Sequence, residues 1–155
     1  MDRVSASSRS HVMASVKGKN TKPELIVRKA IFREGLRFQL HRRDLPGRPD
    51  LVLPKFNATI FVNGCFWHFH GCKKTRTPVT NQLYWLPKLA KNKERDERNY
   101  ELLNKLGWRV LVVWECYIAT NKPIVIGHEV KLWLANSSVE VSDFMEFSGT
   151  LCMAP

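Results

Sequence analysis

No stretch of this chain approaches the ~18 consecutive apolar residues that a membrane-spanning helix requires, and Met1 to Asn20 contains no apolar run of the kind that drives secretion. A membrane span and an export signal are therefore not expected, and a cytoplasmic chain is. In that setting the triplets opening at Asn57 and Asn136 are not read as glycosylation sites. No internal repeat is visible, which argues against a solenoid or a propeller. Cysteine is scarce, with four residues, and a reducing compartment makes metal binding a better use of them than disulfides. Acidic side chains are also few: 14 against 25 Lys and Arg, a formal net charge of +11.

The remaining bulk features are those of one globular domain. The chain has 155 residues, 44% hydrophobic and 25% charged. A domain of this size buries roughly 68–70% of its unfolded surface and needs no disulfide framework. The basic excess is uneven. Residues 1–110 carry 23 basic and 9 acidic side chains, net +14, whereas residues 111–155 carry 2 and 5, net −3. Such an imbalance points to a polyanionic partner meeting the first two-thirds of the chain. A nucleic acid fits better than an anionic membrane, because no basic amphipathic helix with a broad apolar face stands out.

Three segments follow from the patterning: a mobile basic arm over 1–20, a folded domain over 21–135 and a tail over 136–155. Thr21-Lys22-Pro23-Glu24 reads as a helix start, with Thr21 as cap, Glu24 at the capping-box position and Pro23 in the first turn. Ile26, Val27, Ala30 and Ile31 form its apolar face, and Gly35 ends it. Leu36, Phe38 and Leu40 alternate with polar residues, as in a half-buried strand. After the rigid turn Leu45-Pro46-Gly47-Arg48-Pro49 come two buried strands, Leu51–Leu53 and Ala58–Val62. Asn81 to Leu106 reads as mostly helical, with Pro87 as a kink or a start. Arg109–Trp114 is a further, central strand, and Pro123–Leu134 a last helix. The expected order is α-β-β-β-α-β-α, a mixed sheet flanked by helices. The tail has no strong pattern.

Three constellations carry chemistry. In Cys65-Phe66-Trp67-His68-Phe69-His70-Gly71-Cys72, joined by Cys116 at the end of a strand, sulfur and imidazole ligands are dense enough for a tetrahedral Zn²⁺ site. Cys65, Cys72 and Cys116 supply three thiolates, and spacing does not choose between His68 and His70 for the fourth ligand. Such a site is closed and structural, and Cys152 is left as a spare thiol. Pro49-Asp50 before a buried strand resembles the opening of the PD-(D/E)xK nuclease core, in which Asp holds Mg²⁺ at the mouth of a hairpin. The acidic-x-Lys ending of that core is absent, and Phe61-Val62-Asn63 stands in its place. Lys88, Lys91, Asn92 and Arg95 share one helix face that can follow phosphates, and Asp96 follows Asn92 by one helical turn.

Taken together, these blocks resemble one family. Arg9-Ser10, Met13, Thr21-x-Pro23-Glu24, Leu45-Pro46-Gly47-Arg48-Pro49-Asp50, Gly64-Cys65-Phe66-Trp67-His68-x-His70-x-Cys72, Lys91-Asn92-x-x-Arg95-Asp96 and Gly107-Trp108-Arg109-Val110-x-x-Val113-Trp114-Glu115-Cys116 are similar to the very short patch repair (Vsr) endonucleases, over about residues 9–120. The resemblance implies a restriction-endonuclease-like α/β fold with one structural zinc site. It implies Mg²⁺ bound by Asp50 with the Val62 backbone carbonyl, proton transfer by His68, and metal-bound waters held by Glu24 and Asp96. It assigns zinc to Cys65, His70, Cys72 and Cys116. It makes Phe66, Trp67 and Trp85 aromatics that wedge beside a mismatched base pair, with Lys88, Asn92 and Arg95 on the DNA. Where a well-known member has a second active-site histidine this chain has Asn63, which cannot exchange a proton near neutral pH.

The function so implied is a monomeric, nucleoid-associated, bacterial-type enzyme acting on double-stranded DNA. It nicks one strand 5′ of the thymine in a T:G mismatch, the product of 5-methylcytosine deamination, and so starts very short patch repair. A sequence-specific endonuclease on the same fold and a non-catalytic zinc-containing DNA-binding module are the alternatives.

Overall fold

The computed structural model describes residues 18–73, 75, 77–136 and 144–149. The expected basic arm up to residue 17 and the spare thiol at Cys152 lie outside the described residues.

Helix α1, Lys22–Arg33, begins as its sequence dictates. The Thr21 hydroxyl accepts from the Glu24 N–H at 3.4 Å, and the Thr21 N–H donates to the Glu24 carboxylate at 3.4 Å. This reciprocal pair satisfies two of the donors that a helix start leaves open. The helix buries Glu24, Val27, Ala30 and Ile31, while Ile26 packs only partly against the core. Gly35, with φ +80°, turns the chain out of the helix.

The strand expected from Leu36 shrinks to β1, Gln39–Leu40. Among the described residues its ladder partners are Leu51 and Val52 of the three-residue strand β2, Leu51–Leu53. Leu36 is buried in the core without pairing, and the chain leaves extended geometry at His41, whose φ is +46°. A single 3₁₀ turn, Pro54–Phe56, and Asn57 in the left-handed region connect β2 to β3, Ala58–Asn63. The hairpin is antiparallel, with Leu51 opposite Ile60. Helix α2, Gln82–Lys105, crosses over to β4, Arg109–Trp114, which pairs parallel with β3 from Ala58↔Arg109 to Asn63↔Trp114. Pro87 lies inside α2 near its start rather than opening it.

Two further features depart from the sequence reading. A short helix α3, Glu115–Thr120, follows β4 directly, so Cys116 sits in its first turn instead of ending a strand. Helix α4, Pro123–Ala135, is as expected. The tail then contributes strand β5, Phe144–Phe147, parallel to β4. The five strands lie in the order β1-β2-β3-β4-β5, so β3 is the middle strand and β4 lies between β3 and β5.

Strand alternation divides the core. Leu51, Leu53, Ile60, Leu111 and Val113 face α1 and α4. Val52, Phe61, Val110 and Val112 face the other way, with Tyr100 and Leu103 of α2 and the three cysteines Cys65, Cys72 and Cys116. Arg109 locks the far end: its guanidinium stacks on Trp133 at 4.5 Å and donates to the carbonyls of Trp133 and Leu134 at 2.7 and 3.1 Å. Those are carbonyls that the end of α4 leaves without helical donors.

Helices α1 and α4 approach so closely that a Cβ on Gly127 would lie 2.7 Å from the Ala30 carbonyl oxygen. Gly→Ala inside a helix normally stabilises by roughly 0.5–1 kcal/mol. Gly127→Ala should reverse that sign and cost about 1–2 kcal/mol, because backbone must shift to admit the methyl. Urea denaturation measures it, and a stabilised variant contradicts the packing.

Candidate active site

The β2–β3 hairpin sets the first part of the site. Asp50 immediately precedes β2, and its Oδ2 accepts from the Val62 N–H at 2.7 Å. The turn before it is tight: Gly47 and Arg48 have φ +72° and +50°. A Cβ on Gly47 would meet Asn99 and Phe61 at 3.1 and 3.2 Å, so this turn is pressed onto α2. Burial pushes the Asp50 carboxyl up to about 7, helped by the neighbouring Glu24 charge and opposed by the Val62 N–H, His68 and Arg28. Glu24, 2% exposed, is ion-paired with Arg28, and its Oε1 lies 3.0 Å from His41 Nε2. Neither Arg28 nor His41 was singled out from the sequence. His41 reaches Asp50 only through the fold, whereas Arg28 stands one helical turn after Glu24, an i,i+4 spacing that marks an ion pair in the sequence.

His68 and Asp96 form the second part. His68 follows β3, Asp96 lies on α2, and the two are directly paired through Nδ1 and Oδ2. Arg95 also reaches Asp96, at 3.2 Å. Asp50, Val62, Asn63, His68, Arg95 and Asp96 line one groove of about 930 Å³, with Arg43 and Arg48 on its walls. The Asn63 side chain is 3% exposed and donates to the Tyr100 hydroxyl at 2.9 Å.

The cysteine-histidine block forms the third part. One ligand atom from each of Cys65, His70, Cys72 and Cys116 falls within 4.8 Å of the others, whereas His68 stands apart with Asp96. The His70 ring stacks on Trp114 at 3.9 Å and 4°, with Nδ1 3.7 Å from Cys116 Sγ. Two ligands of a tetrahedral zinc ion are separated by roughly this much. The Gly149 N–H donates to Cys116 Sγ at 3.4 Å, the kind of contact that supports a thiolate. Burial and the neighbouring thiols push the Cys65 pKa up, and burial holds His70 down in its neutral form. A Cys65 thiol whose ionisation burial disfavours, gathered with two further cysteines and an imidazole whose protonation burial disfavours, belongs to a donor set suited to a cation.

Beside this lies an aromatic cluster. Phe66, Trp67 and Trp85 meet edge to face at centroid distances of 5.1, 5.6 and 6.1 Å. Tyr84, unmarked in the sequence reading, extends it at 5.2 Å from Trp85 and is 52% exposed. Lys88 lies over the Tyr84 and Trp85 rings, and the Asn92 amide donates to the Trp67 carbonyl at 3.1 Å. Lys91 points to solvent. His68 and Arg95 line both the Asp50 groove and a second one of about 420 Å³ that reaches Trp67 and Asn92. The groove of the carboxylates and the groove of Trp67 therefore share a wall.

Comparison with known proteins decides the family. The model of the family described as DNA mismatch endonuclease Vsr matches residues 1–74. The type II nicking enzyme V.XorIIP of Xanthomonas oryzae pv. oryzae is 47% identical over 118 residues, 76% of this chain and 87% of that protein. The chain belongs to the Vsr endonuclease family. Type II nicking enzyme V.NmeAIP of Neisseria meningitidis is 44% identical, covering 79% of this chain and 87% of its own. The DNA mismatch endonuclease Vsr of Escherichia coli is 42% identical, covering 70% of each. A Vsr-family chain is a DNA endonuclease, a hydrolase of phosphodiester bonds, and its polyanionic substrate accounts for the basic excess. Among the described residues no helix is long and apolar enough to cross a membrane.

The raised Asp50 pKa has a consequence for stability. Its folded value near 7 lies above the unfolded carboxylate value of ~3.9. Ionisation is thus penalised in the folded state: stability declines from about pH 4 to pH 7, and the penalty is complete above that. Without added divalent cation, Asp50→Asn should be more stable than wild type by about 2–4 kcal/mol at pH 8 and no different at pH 4. Urea titrations at both pH values measure this; a pH-independent difference contradicts it.

Proposed function

We propose that this Vsr-family enzyme nicks one strand of duplex DNA on the 5′ side of the thymine in a T:G mismatch, using Mg²⁺ at Asp50, with Zn²⁺ as a structural ion at Cys65, His70, Cys72 and Cys116. The observation that carries the reading is the wall of Val62, His68 and Arg95 shared by the Asp50 groove and the groove lined by Trp67, whose ring packs on Phe66 and Trp85. A device for opening a base stack would stand beside a device for hydrolysing the adjoining phosphodiester.

A divalent cation held by Asp50 and the Val62 carbonyl supplies, when bound, Lewis-acid polarisation of the phosphate and a water of lowered pKa. Asp50 itself needs a positive neighbour to ionise fully near neutral pH, because it is buried beside Glu24. His68 serves as the proton carrier. With Nδ1 engaged by Asp96, its Nε2 is the nitrogen left for the reacting oxygens. Arg43, Arg48 and Arg95 on the groove walls attract phosphates without reading sequence.

Selectivity comes from the aromatics. Wedging costs about a few kcal/mol of unstacking per base step, and a mispaired step costs less to open. A wedge lowers that cost only if it is rigid. Cys65 and Cys72 bracket Phe66 and Trp67, and the Asn92 amide holds the Trp67 carbonyl. A second reading has a specific source: several relatives are named type II nicking enzymes, so selection by flanking sequence alone is the competing account.

End-labelled duplexes carrying T:G or T:A in several sequence contexts separate the two. Wild-type protein with Mg²⁺ should cut the thymine strand of T:G only, and Asp50→Ala should bind but not cut. Trp67→Ala should lower the preference for T:G more than it lowers binding to matched DNA. Equal cutting of T:G and T:A in every context sinks the mismatch assignment, and wild-type rates in folded Asp50→Ala sink the cation assignment.

A further inference from the structure

His41 sits where a metal ligand would be useful, and its backbone is bent to put it there. Leu40 of β1 pairs with Leu51 of β2, so one step further along the antiparallel ladder His41 lies opposite Asp50. Its N–H points to the Asp50 carbonyl at 3.5 Å. Its φ of +46° is a left-handed value that a non-glycine residue adopts at a cost, and such strain concentrates at functional sites. The imidazole falls between two carboxylates: Nε2 is 3.0 Å from Glu24 Oε1 and Nδ1 is 3.9 Å from Asp50 Oδ1. One ligand atom from each of Glu24, His41 and Asp50 lies within 4.8 Å of the others.

The two nitrogens have different surroundings. Nε2 is within reach of the Glu24 carboxylate and of Arg28 Nη2, at 2.8 Å. Arg28 can only donate, so it favours a lone pair at Nε2, whereas Glu24 favours a proton there. The first choice places the proton on Nδ1, where Asp50 at 3.9 Å is too distant for a hydrogen bond. The second satisfies the N–H on Glu24, leaves Arg28 to its ion pair with Glu24, and turns the Nδ1 lone pair toward Asp50. A histidine that donates one N–H to a carboxylate and offers its other nitrogen is the usual metal-ligand arrangement. Two ligands about 2.0–2.2 Å from one ion can lie up to roughly 4 Å apart, so Nδ1 and Oδ1 can share a cation.

We propose that His41, oriented by Glu24, supplies an imidazole nitrogen through Nδ1 to the divalent-cation site at Asp50. The inference rests on the reading of Asp50 as the cation-binding carboxylate. It adds a consequence which that reading lacks: a nitrogen donor makes the site more receptive to Mn²⁺ and Co²⁺ than a set of oxygens alone.

Mn²⁺ is the probe, added to zinc-loaded protein and followed by electron paramagnetic resonance. Wild type should show electron spin-echo modulation from ¹⁴N, and His68→Ala should keep it. His41→Gln should lose the modulation and bind Mn²⁺ about tenfold or more weakly, with a smaller loss for Mg²⁺ measured by competition. Absence of nitrogen modulation in wild type, its persistence in His41→Gln, or equal losses for both metals overturns the inference. Because the wild-type spectrum must itself show the nitrogen, the test does not depend on the variant folding. Asp50→Ala separates the two levels: unchanged Mn²⁺ binding there refutes the underlying site, whereas lost binding with no nitrogen signal in wild type refutes His41 alone.

Discussion

Everything at the candidate site depends on the parallel pairing of β3 with β4. Six residues of each strand run in register from Ala58↔Arg109 to Asn63↔Trp114. Parallel strands finish at the same edge of a sheet, so Gly64-Cys65 leaving β3 and Glu115-Cys116 leaving β4 emerge side by side. Strand β2 is antiparallel to β3 and therefore begins at that same edge, which delivers Asp50 to Val62. Helix α2 is the crossover that parallel pairing requires, and Asp96 on it meets His68 from above the sheet end. One register decision thus gathers sulfur, imidazole and carboxylate from segments distant in sequence.

The acidic-x-Lys ending missing from β3 has a structural counterpart elsewhere. Where that core places a second carboxylate, this strand ends in Val62 and in Asn63, whose side chain turns inward to Tyr100. The second carboxylate beside Asp50 comes instead from α1, through Glu24 in its first turn. The capping box that starts α1 also fixes Glu24 in place. A cap that looks merely local in the sequence thereby sets a buried carboxylate behind the groove, beside Asp50. Its ion pair with Arg28 and its contact with His41 supply partners to a buried charge that would otherwise be costly.

What could be read in advance follows the range of the interactions. Strands β3 and β4, the ends of α1 and most of α2 were legible because their apolar periodicity and caps are local. The cysteine-histidine block was legible as a metal motif, but the spacing left His68 and His70 equivalent. They differ in space, where His70 stacks on Trp114 toward Cys116 and His68 turns to Asp96. Strand β5 was not legible, since Phe144, Met145 and Glu146 are all exposed and show no burial alternation; it exists by pairing with β4. Alternation over Leu36–Leu40 predicts a longer strand than β1, because it says nothing about how short the partner strand is. His41 escapes notice for the same reason, because it acquires its neighbours across a contact between elements; Arg28 stands one helical turn after Glu24, and only its contact with His41 crosses between elements.

If the parallel register organises the site, the zinc ion proposed at Cys65, His70, Cys72 and Cys116 would hold the ends of β3 and β4 together at the edge where the strand pairing stops. Structural zinc in small motifs contributes roughly 10–16 kcal/mol of apparent binding free energy, enough to decide whether that edge is ordered. The most direct test is elemental analysis of the purified chain, combined with thermal denaturation during stepwise zinc removal by a chelator. The account predicts one zinc per chain and a fall in melting temperature that tracks zinc loss and is reversed by adding zinc back. A folded, zinc-free protein whose melting temperature is indifferent to the chelator would contradict it.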